Sequence, residues 1–599
     1  MPARDSKGWL PAATPPTGGA PTPPRIPIAA ALRRTFAKGY GAPQLRADLL
    51  AGVVVAIVAL PLSMALAIAV GVPPQHGLYT AIVAGAIVAL LGGCKFQVTG
   101  PTAAFVVILA PIASAHGLAG LLTAGLMAGV LLVVMGIARL GSLIEYIPHP
   151  VTTGFTTGIA TVIAVLQLKD GLGLDTGKLP DHFVGKLAMF WRARGTAHLG
   201  ELAAAVATFA LLRLLPRLTR KVPAPLLAIA AVSAAAAVVT RIHPGWHVDT
   251  IGTHFHTTVH GVVVGGIPPV FPAPALPWGT ATLSYGLFRE LLPAAFAIAM
   301  LGAIESLLSA VIADGVTDTK HDPNSELVAM GIGNIVAPFF GGIAATGALA
   351  RTATNIRAGA RSPFASVTHA VIVLIAMLLL APLIAYVPMA ALAGLMVHVA
   401  WNMSELHNFA GIVRVAPKSD VLVLLTCYLL TVFTDMVVAV SVGFVLAALL
   451  FMRRMSELTE SRLQLDSSQE GGTTAVPRGA LLYEINGPLF FGAAQKALRA
   501  LGGRRDDFKV LVIHLGRVPV IDATGLVALE NTISGFIKAR KDVILAGPLP
   551  RPREIFDKAD LEKKHTGLRI ARDLDAAIAI AEQLLADRKT PPVMPATPG

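Results

Sequence analysis

The sequence predicts an α-helical polytopic membrane protein of two inverted halves, seven transmembrane segments in each, followed by a small α/β domain. Three observations carry this. Only 14% of the 599 residues are charged and 54% are hydrophobic, whereas a soluble domain carries about 25% charged residues. Mean hydropathy is +0.68. The charge deficit is also localised. No Lys, Arg, Asp or Glu occurs between Asp48 and Lys95, between Lys95 and Arg139, or within 146–168, 327–350 and 362–404. Each of these runs accommodates one or two helices of about 20 residues, the length that crosses a bilayer.

The spans of the first half fall at 49–70, 77–92, 118–137, 151–168, 199–215 and 222–240, with a short segment at 101–112 in third place. A connection over 241–283, rich in His, Pro and Gly, separates the halves. The second half reads 291–313, 327–341, a short segment at 346–356, then 366–384, 388–401, 421–433 and 437–452. An odd number of segments per half makes the halves run in opposite directions. The domain boundaries follow: a tail over 1–40, a transmembrane domain over 41–455 (repeats 45–241 and 287–455), a linker over 456–479, an α/β domain over 480–588 and a tail over 589–599. In the α/β domain, 480–486, 510–515 and 543–546 read as buried strands, and 491–501, 524–538 and 575–585 as helices. The N-terminal 27 residues are rich in Pro, Ala, Gly and Thr, read as a disordered tail and lack a signal-peptide apolar core.

The net charge of +13 does not point to nucleic acid, because the basic residues follow topology and not one soluble face. Arg33, Arg34, Lys38 and Arg46 precede the first span. Arg213, Arg217, Arg220 and Lys221 lie between two spans, and Arg357, Arg361, Arg414, Lys418, Arg453 and Arg454 mark later loops. If these all face the cytoplasm, the positive-inside rule holds throughout. The two cysteines, Cys94 and Cys427, lie in apolar segments and supply neither a disulfide framework nor a cysteine metal site. His243, His247, His254, His256 and His260 share one connection, which reads as a solvated loop because no partner carboxylate or tight spacing accompanies them. Asp435, Lys169 and Asp170 sit near span ends and read as interfacial.

Glu305 is the only charged residue between Glu290 and Asp314. A carboxylate in such a span costs roughly 2.5–3.5 kcal/mol on insertion scales unless it is neutralised, hydrated or paired. Protonation relieves that cost, so Glu305 is a candidate proton-coupling group, with Ser309 one helical turn on and on the same side. The short third segments open on Gly100-Pro101-Thr102-Ala103 and Thr346-Gly347-Ala348. Matching Gly/Pro-interrupted segments point to a transporter's binding site, and helices that begin at mid-membrane aim their N–H groups at one spot, which suits an anion. Candidate substrate contacts are therefore Thr102, Ala103 and Ala104 on the first segment, Gly347, Ala348 and Arg351 on the second, and Ser63 after the helix-loosening Pro61.

The run Gly100-Pro101-Thr102-Ala103-Ala104, preceded by Pro73-Pro74-Gln75-His76-Gly77-Leu78-Tyr79, resembles the signature of the SulP sulfate-permease family of anion transporters. The C-terminal unit is similar to the STAS domain that this family carries. Within the family the chain resembles the bacterial C4-dicarboxylate-transporting branch, through 291–296, 300–308 and 400–405. The resemblance implies fourteen transmembrane segments as inverted repeats, a core domain sliding against a gate domain, a homodimer, and a substrate held between the two half-helices. Glu305 matches a position that is Asp in sodium-coupled members, and Leu349 stands where those members have Thr, so the resemblance favours proton over sodium coupling. Arg351 matches a basic residue that attracts anions. In the STAS-like unit, Ala523 replaces the phosphorylated serine of soluble relatives, which leaves Thr524 as a weak regulatory candidate. The expectation is a secondary transporter in the bacterial inner membrane, with N-terminus and C-terminal domain cytoplasmic. It would take up C4-dicarboxylates with protons, or alternatively sulfate or bicarbonate, and need no cofactor, metal or nucleic acid. A cytoplasmic protein partner would engage the STAS-like unit. A passive anion channel and a membrane sensor are the rival classes. No catalytic constellation suggests an enzyme.

Overall fold

The computed structural model describes residues 28–144, 148–177, 180, 182–218, 223–242, 246, 248–259, 262–279, 284–434, 436–457, 460–464, 476–490, 494, 498 and 508–588. Residues 1–27 and 589–599, Arg220, Lys221, His243, His247, His260, Asp435, and most of the expected helix 491–501 and the linker lie outside the described residues, whereas the rest of the expected N-terminal tail carries a helix, Ala30–Ala37. The chain divides into two units, 1–443 and 444–599.

The first unit is helical. Its first half contains α1 (Ala42–Val70), α2 (Gln75–Leu91), α3 (Ala103–Ile137), α4 (His149–Leu166), α5 (Leu199–Leu218) and α6 (Ala224–Ile242). The second half contains α7 (Tyr285–Thr317), α8 (Pro323–Val336), α9 (Leu349–Arg357), α10 (Phe364–Ile384), α11 (Met389–Met403) and α12 (Lys418–Phe433). A further helix, α13 (Met436–Glu457), runs across the division between the units. Among the described residues, eight helices are long and apolar enough to cross a membrane, and the others are shorter. The expected short segment 101–112 and the span 118–137 prove to be the two arms of α3. They meet at Gly117, whose φ of 64° and ψ of −165° break the helix without ending it. Only glycine takes that conformation readily, so the chain reverses there with no loop. Two helices between spans, Phe183–Ala193 and Leu406–Val415, were not expected.

Small residues set how closely the helices approach, as is usual in lipid. Where α3 crosses α8, a Cβ on Gly129 would lie 2.7 Å from the Gly331 carbonyl, and one on Gly331 would lie 2.6 Å from the Gly129 carbonyl. Where α1 meets α2, a Cβ on Gly77 would lie 2.0 Å from the Ser63 carbonyl. In the connection between the halves, β2 (His256–Val259) and β3 (Val262–Gly265) form a hairpin.

Asp48, a boundary charge in the sequence, is fully buried. Its carboxylate accepts from the Tyr40 hydroxyl (2.8 Å), the backbone N–H groups of Arg361 (2.6 Å) and Ser362 (3.1 Å), and the Ser362 hydroxyl (2.5 Å). It therefore ties the base of α1 to the turn that starts α10.

The second unit carries one five-stranded sheet in the order β5-β6-β7-β8-β9. Here β5 is Glu460–Gln464, β6 Ala480–Asn486, β7 Val510–Arg517, β8 Asp542–Ala546 and β9 Leu568–Ala571. β5 is antiparallel to β6, and β6 to β9 are parallel. The alternation of side chains sorts the two faces. Leu481, Tyr483, Leu511, Ile513, Val543 and Leu545 pack with α14 (Ala523–Lys538) and α15 (Pro550–Lys558). Leu482, Val510, Val512 and Ile544 pack with α16 (Leu574–Asp587). Four elements escaped the sequence reading, among them the single-turn helix Leu561–Lys564. β5 lies inside the expected linker because its residues are mostly polar, as suits an edge strand. β9 has only 4 residues, and α15 opens on a proline at its first turn.

Asp48→Ala is expected to leave two backbone N–H groups and two hydroxyls without their acceptor. It should cost about 2–3 kcal/mol, read as a lower melting midpoint in detergent. Asp48→Asn should fall between that variant and the parent.

Candidate functional site

Two extended breaks meet inside the first unit. β1 (Thr99–Gly100) and β4 (Thr346–Gly347) pair antiparallel, Thr99 opposite Gly347 and Gly100 opposite Thr346. A helix begins directly after each. Thr102 is the N-cap of α3 and Ala348 the N-cap of α9, both in extended conformation, and neither helix has a side-chain cap. Threonine is a favoured capping residue, yet the Thr102 hydroxyl donates to Glu305 Oε2 at 2.9 Å instead. The first N–H groups of α3, at Ala103 and Ala104, and of α9 are thereby kept from side-chain caps beside the strand pair.

Arg351, in the first turn of α9, is 1% exposed. It reaches across to the other half-helix and donates from Nη2 to the Pro101 carbonyl. Its Nε and Nη1 make no hydrogen bond. The guanidinium lies on Gly100, where a Cβ would sit 2.3 Å from Nη1. Glu305 and Arg351 are close enough to attract, yet each binds its own residue of the 101–102 segment: the acid takes the Thr102 hydroxyl and the base gives to Pro101. The site therefore presents a carboxyl group, a guanidinium with open donors, and two uncapped helix starts. Such a set attracts an anion and can change its own charge by one proton.

The structure thus brings together Thr102, Ala103, Ala104, Glu305, Gly347, Ala348 and Arg351. Ser309 is buried and donates to Thr352 Oγ1 at 3.3 Å, on α9 and not toward the carboxylate. Ser63 is buried, its hydroxyl makes no hydrogen bond, and no bond joins it to the others. Thr524 lies far along the chain in the second unit. It is exposed in the first turn of α14, where the N-cap Asp522 accepts from Gly525 N at 2.6 Å. Among the described residues no group of three or more His, Cys, Asp and Glu is placed to hold a metal ion.

Sequence reasoning missed the lattice that holds the breaks in place. Gln97 Nε2 donates to Ser306 Oγ (2.5 Å), beside Glu305 on α7, and to Glu326 Oε1 (2.8 Å) on α8. Glu326 is fully buried, and its Oε2 accepts from the backbone N–H groups of Gly93 (2.8 Å) and Cys94 (2.9 Å). Ser366 Oγ donates to the Gln97 carbonyl (2.7 Å), Asn355 to the Phe96 carbonyl (2.9 Å) and Thr346 Oγ1 to the Gly302 carbonyl (2.9 Å). Thr352 Oγ1 accepts from Val98 N at 3.1 Å. Glu326 borders the uncharged run 327–350, and nothing in the sequence singles it out. The signal for Gln97 was weak: one amide ahead of the Gly-Pro break.

A family model described as the sulfate permease family matches residues 45–427, and one described as the STAS domain matches 473–577. The chain belongs to the sulfate permease family. Its members are transporters, not enzymes. The chain is 39% identical to the putative sulfate transporter YvdB of Bacillus subtilis, over 88% of this chain and 96% of that one. It is 30% identical to the bicarbonate transporter BicA of Picosynechococcus, over 87% and 92%. The solved transmembrane domain of a cyanobacterial BicA matches 67% of this chain and 98% of its own, with a TM-score of 0.58 and 28% identity. SLC26A9 shares the fold over 93% of each chain, with a TM-score of 0.78 and 18% identity. The chain is thus a multi-pass membrane protein of a bacterial anion-transporter family with a C-terminal STAS domain. The three relatives of bacterial origin cited here carry sulfate and bicarbonate in their names, not dicarboxylates.

Gln97→Leu and Glu326→Gln should each lower the melting midpoint in detergent, and the double variant should lose less than the sum. A coupling of about 1–3 kcal/mol is expected for two buried groups that share a hydrogen bond. Strict additivity would show that the Gln97–Glu326 bond contributes nothing.

Proposed function

We propose that this chain is a proton-coupled secondary transporter of small anions whose substrates are C4-dicarboxylates such as succinate, fumarate and aspartate. One observation carries the coupling: Glu305 takes the hydroxyl of the residue that would otherwise cap α3, on the same two-residue segment that Arg351 grips. With Glu305 ionised, a dianion entering beside it meets a negative charge. With Glu305 protonated, the same dianion meets the open Nε and Nη1 donors of Arg351 and the N–H groups of Ala103, Ala104 and the start of α9. Substrate and proton then load together, and each stabilises the other. Gly347 admits the Gln97 side chain, which packs where a Cβ would stand, and Thr102 reports the state of Glu305, while Ser309, turned to Thr352, and Ser63 stay outside the polar lining. Leu349 has no side-chain oxygen for sodium, which agrees with protons as the coupling ion.

The chain would sit in the bacterial inner membrane as a homodimer. The basic residues ahead of α1 support a cytoplasmic N-terminus, and a cytoplasmic STAS domain would bind a regulatory protein through a surface that includes Thr524. The dicarboxylate choice rests on the family resemblance. The second reading, sulfate or bicarbonate, is favoured by the similarity to the putative sulfate transporter YvdB and the bicarbonate transporter BicA.

Proteoliposomes with an imposed inward proton gradient test this. Labelled succinate should accumulate above its external concentration, which a passive channel cannot achieve, and more so at pH 6 than at pH 8. Glu305→Gln should abolish the gradient stimulation while preserving some exchange. Arg351→Gln should raise the half-saturating concentration tenfold or more, the loss of about 1.5–3 kcal/mol for hydrogen bonds to a charged group. Gradient-driven uptake that survives Glu305→Gln would overturn the coupling role. Accumulation of sulfate or bicarbonate but not succinate would select the second reading.

A further inference from the structure

A cavity of about 340 Å³ lies at the end of the membrane unit where α1 finishes. Its walls come from three places: the last turn of α1 and the glycine after it (68–71), the first arm of α3 near Gly117 (Ala110 to Ser114), and the end of α4 with the connection that follows. The last wall brings Gln167, Lys169, Asp170 and Lys186. Among the described residues the ionisable lining is thus two lysines and one carboxylate.

The cavity shares its helices with the site described above. Ala103 at the start of α3 and Ala110 in the cavity wall are seven residues apart, about 10 Å at 1.5 Å per residue. Ser63 and Ile68 on α1 are five residues apart, about 7 Å. A cavity of this size holds a small anion with part of its hydration shell. Lys169 and Asp170 were read from sequence as interfacial charges, but they line a concave space and do not stand on a flat rim. Charge in a concave, low-dielectric setting raises the local concentration of counter-ions.

We infer that this cavity is the external anteroom of the anion pathway, and that Lys169 is a specificity-determining residue that concentrates small hydrated anions there ahead of the half-helix site. The sidedness and the pathway rest on the transporter reading above; the charge preference of the cavity does not.

The test uses the full-length protein in proteoliposomes. Both native cysteines are buried, so Ser114→Cys, or Ala113→Cys as a second variant, places one accessible thiol on the cavity wall. Each is labelled with a sulfonatoethyl and a trimethylammonioethyl methanethiosulfonate added outside, and the two rates are normalised to those of a free thiol. The anionic reagent should react faster at low salt. Lys169→Gln should reduce the anion-to-cation ratio about three- to tenfold, as expected for one unit charge roughly 10 Å away in a partly screened setting. Lys169→Arg should preserve the ratio, Asp170→Asn should raise it, and 0.5 M salt should collapse it. A ratio unmoved by Lys169→Gln, or two cysteines that react with neither reagent, overturns the proposal. A charge-selective cavity in a protein without proton-driven uptake would sink the proposed coupling and leave the anion-concentrating role of Lys169 standing.

Discussion

The pairing of β1 with β4 is two residues long on each side, and the rest of the membrane unit is organised around it. An extended backbone inside a bilayer leaves N–H and C=O groups that lipid cannot satisfy, each costing several kcal/mol. Here the breaks satisfy each other, and neighbours cover the remainder. Ala348 N donates to the Val98 carbonyl at 2.9 Å, and Asn334 exchanges hydrogen bonds with both backbone groups of Ala345 (2.8 and 2.9 Å). Ser366 serves the Gln97 carbonyl, Asn355 the Phe96 carbonyl and Thr352 the Val98 N–H. What the breaks provide in return is two helices that start deep inside the protein with uncapped N–H groups.

The buried charges of this unit divide by how fully they are satisfied. Asp48 accepts four hydrogen bonds and Glu326 three, mostly from backbone N–H groups. Such carboxylates are fixed parts of the frame, and removing one strands the groups it serves. Glu305 accepts one bond from a side chain, and Arg351 keeps two donor nitrogens without a partner. Incomplete satisfaction in the interior is costly, and Arg351 carries two such nitrogens where the two half-helices converge. That contrast distinguishes Glu305 from Glu326 more sharply than the sequence does, where one lies within an apolar run and the other borders one.

Much of this was legible in the sequence. Charge-free runs of spanning length can only be helices in lipid, because no other open structure satisfies its own backbone there. The placement of Gly100-Pro101 and Thr346-Gly347 at matching points, and the isolation of Glu305 between Glu290 and Asp314, mark the site through composition alone. The parallel strands β6, β7 and β8 were also readable, because a strand buried on both faces is a continuous apolar run. The polar edge strand β5 and the four-residue β9 carry no such run.

Tertiary structure decided what depends on distance between segments far apart in the chain. Nothing in one sequence says that the Thr102 hydroxyl turns away from its own helix to Glu305, 203 positions on, or that Arg351 lies across Gly100. Nor does it say that Gln97 joins α7 to α8 while Ser309 turns to Thr352. Asp48, Glu326 and Lys169 all stand at the ends of charge-free runs; folding buried the first two among backbone donors and set the third against a cavity. The sequence by itself determined which residues could not face lipid, because that is a property of each side chain against one solvent. Which partner each of them found is a property of pairs, and only the packed helices settle it.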